Sequence, residues 1–127
     1  MYKLFLDDLR NPIDAYFYMH APIYNEEGWT IVRNYAEFMD MITSQGIPEI
    51  VSFDHDLADE HYGMQDHIEY GMLVEKTGYH CAQWLINYCI DHNKNIPKYV
   101  LIHTMNPVGR QNIESLFRTY EKVYRRT

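Results

Sequence analysis

The chain has 127 residues, 46% of them hydrophobic, which is enough for one core in a single domain over residues 1–127. A formal net charge of -7 excludes a broad electrostatic grip on a DNA or RNA polymer, but not a small nucleotide whose phosphates meet a metal or a few local cations. No apolar run is long enough to span a bilayer, and "MYKLFLDD" meets acids too soon for a signal peptide, so a cytoplasmic chain without a membrane partner is expected.

In chain order, "YKLFL" (Tyr2 to Leu6) reads as a short buried strand stopped by "DDLRNP". The polar-aromatic stretch 11–28 reads as a long connection. "WTIVRNY" (29–35) is β-branched and strand-like, and "YAEFMDMITSQG" (35–46) carries Phe38, Met41 and Ile42 at helical spacing with Gly46 as its stop. "EIVSFD" (49–54) is a third strand. After the charged connection 57–76, "TGYHCAQWLINYCIDHN" (77–93) places Ala82, Leu85, Ile86 and Cys89 on one helical face. Its two cysteines, Cys81 and Cys89, stand roughly 12 Å apart along a helix, too far for a disulfide. "KYVLIHT" (98–104) is a fourth strand. "NPVGRQNIESLFRTYEKVY" (106–124) is a closing helix with Asn106 as N-cap, Pro107 at its first position, and Ile113, Leu116, Phe117 and Tyr120 inward.

Strands alternating with helices predict an α/β domain with a mainly parallel sheet. Ligands of such sheets sit outside the carboxyl ends of the strands, where the strand order reverses. Three polar clusters fall there: Asp7-Asp8-Leu9-Arg10, Asp54-His55-Asp56 and His103-Thr104-Met105-Asn106. The connections 11–28 and 57–76 border the same rim and read as lids or solvated loops; the second brings Asp59, Glu60, His61, Asp66, His67 and Glu69.

Asp7, Asp8, Asp54 and Asp56 form an oxygen-rich set suited to Mg²⁺, which one or two carboxylates plus waters and phosphate oxygens can hold. With His55 or His103 as a further ligand, Mn²⁺ fits as well. Single Asp residues also cap turns, so the four together carry the expectation. His103 follows Val100, Leu101 and Ile102, where a histidine serves either as a buried structural group or as a proton donor to a leaving alkoxide. Thr104 and Asn106 beside it can orient an imidazole or a phosphate. Gly109 at the helix N-terminus admits an anion closely, and Arg110 offers a fork for phosphate. Arg10 either pairs with Asp8 or reaches that phosphate.

"LFLDDLRNP", "SFDHDLA", "TGYHCAQWLI" and "IHTMNPVGRQNI", in this order and spacing, resemble the cyclic-phosphate-processing receiver-like domain over almost the whole chain. The resemblance implies a flavodoxin-type three-layer α/β fold with a four-stranded sheet in the order 2-1-3-4, the fifth receiver strand being absent or degenerate. It implies processing of cyclic nucleotides or related cyclic phosphates in prokaryotic or phage conflict systems. It also carries a site onto Asp7, Asp8 and Arg10, then Asp54, His55 and Asp56, and finally His103, Asn106, Arg110 and Asn112.

The leading expectation is therefore a metal-assisted phosphodiesterase. Asp7, Asp8, Asp54 and Asp56 would bind the ion, His103 or His55 would protonate the leaving oxygen, and Arg110 would neutralise developing charge. A non-catalytic binder that sequesters a cyclic nucleotide would use the same rim, with Tyr24, Tyr62 or Tyr70 for stacking. A receiver-type phosphoacceptor would use Asp54, but the ordinary receiver's last strand with its lysine has no counterpart. A haloacid-dehalogenase-type phosphatase fits less well, because Lys98 precedes its strand and no acidic pair follows strand four.

Overall fold

The computed structural model describes residues 2–57 and 76–124. Its sheet holds four short strands: β1 (Lys3–Leu6), β2 (Trp29–Val32), β3 (Ile50–Phe53) and β4 (Tyr99–Ile102). All three pairings are parallel and the order is β2-β1-β3-β4. The chain steps from β1 outward to β2 and then returns to lay β3 on the other side of β1. The order thus reverses between β1 and β3, and the crevice rule singles out the ends that carry Asp7 and Asp54.

Leu4, Leu6, Val51, Phe53 and Ile102 point to the larger core. There they meet Phe38 and Ile42 of α2 (Tyr35–Gln45), Ala82, Leu85, Ile86 and Cys89 of α3 (Gly78–Asp91), and Ile113, Phe117 and Tyr120 of α4 (Pro107–Tyr124). Both cysteines are buried as free thiols. Period-two alternation sends Phe5, Ser52 and Leu101, mutual partners in the strand register, to the opposite face. A smaller core of Phe5, Ala15 and Tyr24 lies there, with Trp29 and Leu101 packed against it. The sheet is thus sandwiched between α2, α3 and α4 on one side and a short N-terminal helical layer on the other.

That last layer corrects the reading of 11–28 as a connection. Pro12–Met19 forms an α-helix, α1, and Pro22–Asn25 a 3₁₀ turn. Asn11 caps α1, Pro12 occupies its first turn, and the Asp14 side chain accepts from Asn11 N at 2.8 Å, the same Asn-Pro signature that opens α4. The apolar periodicity is what hid it: Ala15 is the buried residue of α1, whereas Phe17 is well exposed. The connection 57–76, with its acids and histidines and with Tyr62 and Tyr70, lies outside the described residues from 58 to 75. Among the described residues, no helix is long and apolar enough to cross a membrane.

Candidate functional site

The β1 end turns on Asp7. Its Oδ1 accepts from the backbone N–H of Leu9 (2.9 Å) and of Arg10 (2.8 Å), so the carboxylate itself folds the turn that follows the strand. From the end of β2, Arg33 binds the outside of the same turn. Its guanidinium donates to the Asp7 carbonyl (3.2 Å), the Arg10 carbonyl (2.7 Å) and Asn11 Oδ1 (2.7 Å). Arg10 is thereby aimed back across the strand ends. Its Nε lies 3.3 Å from Asp7 Oδ2 and its Nη2 3.8 Å from Asp54 Oδ1, and its guanidinium sits 5.2 Å from the centre of the Tyr18 ring.

Asp54 follows β3 and is 2% exposed. Its Oδ1 accepts from His55 N at 2.8 Å; among the described residues, no hydrogen bond engages Oδ2. Burial and then the Asp7 charge raise its carboxyl to about 6, against smaller pulls from the His55 amide and Arg10. Asp7 goes the other way. Burial pushes it up, but hydrogen bonds from His103 and from the amides of Arg10 and Leu9 outweigh this and hold it below the usual value. Two neighbouring carboxyls are thus split, one firmly ionised and one that exchanges its proton near neutral pH.

His103 follows β4 and is fully buried. Its ring stacks on Phe5 with centroids 4.2 Å apart, its Nε2 lies 3.0 Å from Asp7 Oδ2, and its Nδ1 lies 2.7 Å from Ser52 Oγ. Ser52 Oγ is in turn 2.7 Å from the Tyr24 hydroxyl. Tyr18 donates its hydroxyl to the His103 carbonyl at 2.6 Å. Burial lowers the His103 pKa, with Asp7 pulling the other way. The expectation of a proton donor facing a leaving group does not match this geometry, because both ring nitrogens are engaged inside the smaller core.

The remaining expected residues divide. His55 is partly exposed, with Nδ1 3.1 Å from Asp56 Oδ1, and Asp56 points to solvent. A Cβ on Gly109 would come within 2.4 Å of the His55 ring, so the space expected to admit an anion holds an imidazole instead. Gly78 is needed for the same packing: its N–H donates to the His55 carbonyl at 2.7 Å, and a Cβ there would lie 1.7 Å from the Asp54 carbonyl oxygen. Thr104 Oγ1 accepts from Asn106 N and Asn106 Oδ1 from Gly109 N, so both residues shape the start of α4. Arg110 turns away from the acids. It donates to the Ile102 carbonyl at 2.6 Å and lies 3.7 Å from Glu114. Asn112 faces outward from the other side of α4, lining a groove of about 600 Å³ between α3 and α4 with Tyr79 and Gln83. Asp8 is half-buried beside Asp7.

Among the described residues, one set of three metal-type donors converges: Asp7, Asp54 and His103, whose ligand atoms all lie within 4.8 Å of one another. Asp8 and Asp56 stand outside it. Two carboxylates and an imidazole are donors that could hold a metal ion, and the Arg10 guanidinium already places positive charge against both carboxylates. Ser52 and Arg33 were missed from sequence, and Tyr24, expected as a stacking ring on the rim, is instead buried with its hydroxyl on Ser52. The available signal was Ser52, a lone hydroxyl inside the apolar run "IVSF".

The sequence profile of the cyclic-phosphate processing receiver domain matches residues 2–119, and the chain belongs to that family. Comparison with curated proteins and with solved structures finds no match.

Proposed function

We propose that this receiver domain is a metal-assisted phosphoesterase that opens a cyclic phosphate, such as a cyclic nucleotide. The observation that carries the reading is the split carboxyl pair: Asp7 held below its usual value by its hydrogen bonds, Asp54 buried with its carboxyl raised to about 6, and Arg10 between them. Asp7 and Asp54 would hold the ion, Mg²⁺ or Mn²⁺, which when bound supplies neutralisation of the phosphoryl oxygens. Arg10, paired with both carboxylates in the ion-free site, would turn to a phosphate oxygen once the ion takes its place, fork to anion. His55 is the residue placed to pass a proton to the leaving oxygen. Its Nδ1 is oriented by Asp56 at 3.1 Å, which leaves Nε2 for exchange. The small acidic domain suits a mononucleotide-sized ligand rather than a polymer.

The test is turnover of a panel of cyclic mono- and dinucleotides with Mg²⁺ or Mn²⁺, comparing the wild type with Asp54→Asn and His55→Gln. Divalent-dependent ring opening that falls at least 100-fold in both variants is the expected result. Tight binding that survives EDTA and returns intact ligand would replace catalysis with sequestration.

A further inference from the structure

Tyr24, Ser52, His103 and Asp7 form one continuous hydrogen-bonded line. Its three gaps measure 2.7, 2.7 and 3.0 Å. Ser52 and His103 are 0% exposed and Tyr24 is 2% exposed. Among the described residues, the Tyr24 hydroxyl makes no other hydrogen bond. The Tyr24 ring packs against those of Phe5, Trp29 and His103, and it borders a groove with Met19, Leu101 and Arg110.

Counting protons fixes the direction of the line. Tyrosine and serine hydroxyls bring one each, a neutral imidazole brings one, and the Asp7 carboxylate brings none. Three gaps and three protons have a single matching. The carboxylate must be met by Nε2–H, so Nδ1 is bare and takes the Ser52 proton, and Ser52 Oγ takes the Tyr24 proton. Ligation of a cation through Nε2 moves the ring proton to Nδ1 and reverses the line, so the Tyr24 proton loses Ser52 Oγ as its acceptor.

We propose that Tyr24, acting through Ser52, is a positioning residue that sets the metal selectivity of the site: it holds His103 as the Nε2–H tautomer. His103 then orients Asp7 and leaves a bound ion only carboxylate oxygens. This rests on the reading of Asp7 and Asp54 as the ion's ligands. Oxygen-only coordination favours Mg²⁺, whereas an available imidazole favours Zn²⁺. Tyr24 is thus a device against the softer ion, although its hydroxyl touches neither ion nor substrate. In Tyr24→Phe the obstacle goes: Ser52 Oγ can accept from Nδ1–H, and Nε2 becomes free to ligate.

Two measurements test this on the full chain. Two-bond ¹H–¹⁵N spectra of the ion-free wild type should show His103 protonated on Nε2 with Nδ1 as an acceptor; an Nδ1–H tautomer there overturns the relay. Calorimetric titration with Mg²⁺ and with Zn²⁺ should then show the Zn²⁺-to-Mg²⁺ affinity ratio rising about tenfold in Tyr24→Phe, the equivalent of ~1.4 kcal/mol, with Mg²⁺ affinity unchanged. The Zn²⁺-loaded variant alone should show the His103 Nε2 signal shifted by ligation. An unchanged ratio overturns the selectivity role. If neither protein binds either ion, the cation site of the proposed function fails and selectivity with it, while the ion-free spectrum still decides the relay.

Discussion

Replacing Asp54 by Asn should stabilise the protein at neutral pH and have no such effect in acid. The folded carboxyl sits at about 6 against an ordinary value of 3.8, so the native state holds the proton more tightly than the unfolded chain does. A raised pKa contributes stability that is complete below about pH 4 and is lost as pH rises through about 6. At pH 7 the ionised Asp54 therefore costs about 3 kcal/mol, at ~1.4 kcal/mol per pH unit of displacement, and with 2% exposure there is little solvent screening to discount. Asn keeps the acceptor for the His55 amide at Oδ1 and carries no charge beside Asp7. Urea unfolding of both proteins from pH 4 to pH 8 should give curves that coincide near pH 4 and diverge through pH 6. The variant should end about 3 kcal/mol more stable, or ~10 °C higher in Tm. Adding Mg²⁺ should close part of the gap by stabilising the wild type alone. A pH-independent difference, or a variant less stable at pH 7, would refute the assignment of a strained buried charge to Asp54.

Arg10→Gln removes the cation between Asp7 and Asp54, so calorimetry should show Mg²⁺ affinity rising several-fold, while the KM for a cyclic nucleotide rises at least tenfold. Gly78→Ala drives a Cβ into the Asp54 carbonyl, a backbone atom, and should cost ~3 kcal/mol or more in urea unfolding. Gly109→Ala meets the His55 side chain first rather than backbone, and that side chain can rotate away. It should cost ~1 kcal/mol in the same assay and lower kcat far more than it raises KM, because His55 leaves its place.

The strand ends were legible because an α/β pattern has a geometric consequence. Once "KLFL", "TIV", "IVSF" and "YVLI" are strands of one parallel sheet, Asp7, Asp54 and His103 must share a rim, and they do. The orientation of side chains on that rim was not legible. A histidine after an apolar strand reads the same whether its ring turns to solvent or lies on Phe5. Ser52 carries nothing in the sequence that says Tyr24, 28 positions away, will meet it. Arg110 and Asn112 are two residues apart, and α4 sends them to different sides of the helix; only packing decides which side meets the sheet. Helix α1 was hidden because it buries little, although its capping residues were as plain as those of α4.

The Arg110 contact with the Ile102 carbonyl bears on how the molecule behaves in company. Among the described residues β4 is the last strand of the sheet; Tyr99 and His103 direct their N–H groups to β3, so Val100 and Ile102 alternate toward the flank on which no further strand is described. An uncovered flank invites a strand from another copy to add on and extend the sheet. A guanidinium clamped 2.6 Å from the outermost carbonyl takes away one of its few acceptors and sets a fixed charge where the newcomer's backbone would lie. The residue that seemed made for a phosphate instead occupies an acceptor on the sheet's edge, which disfavours strand addition there.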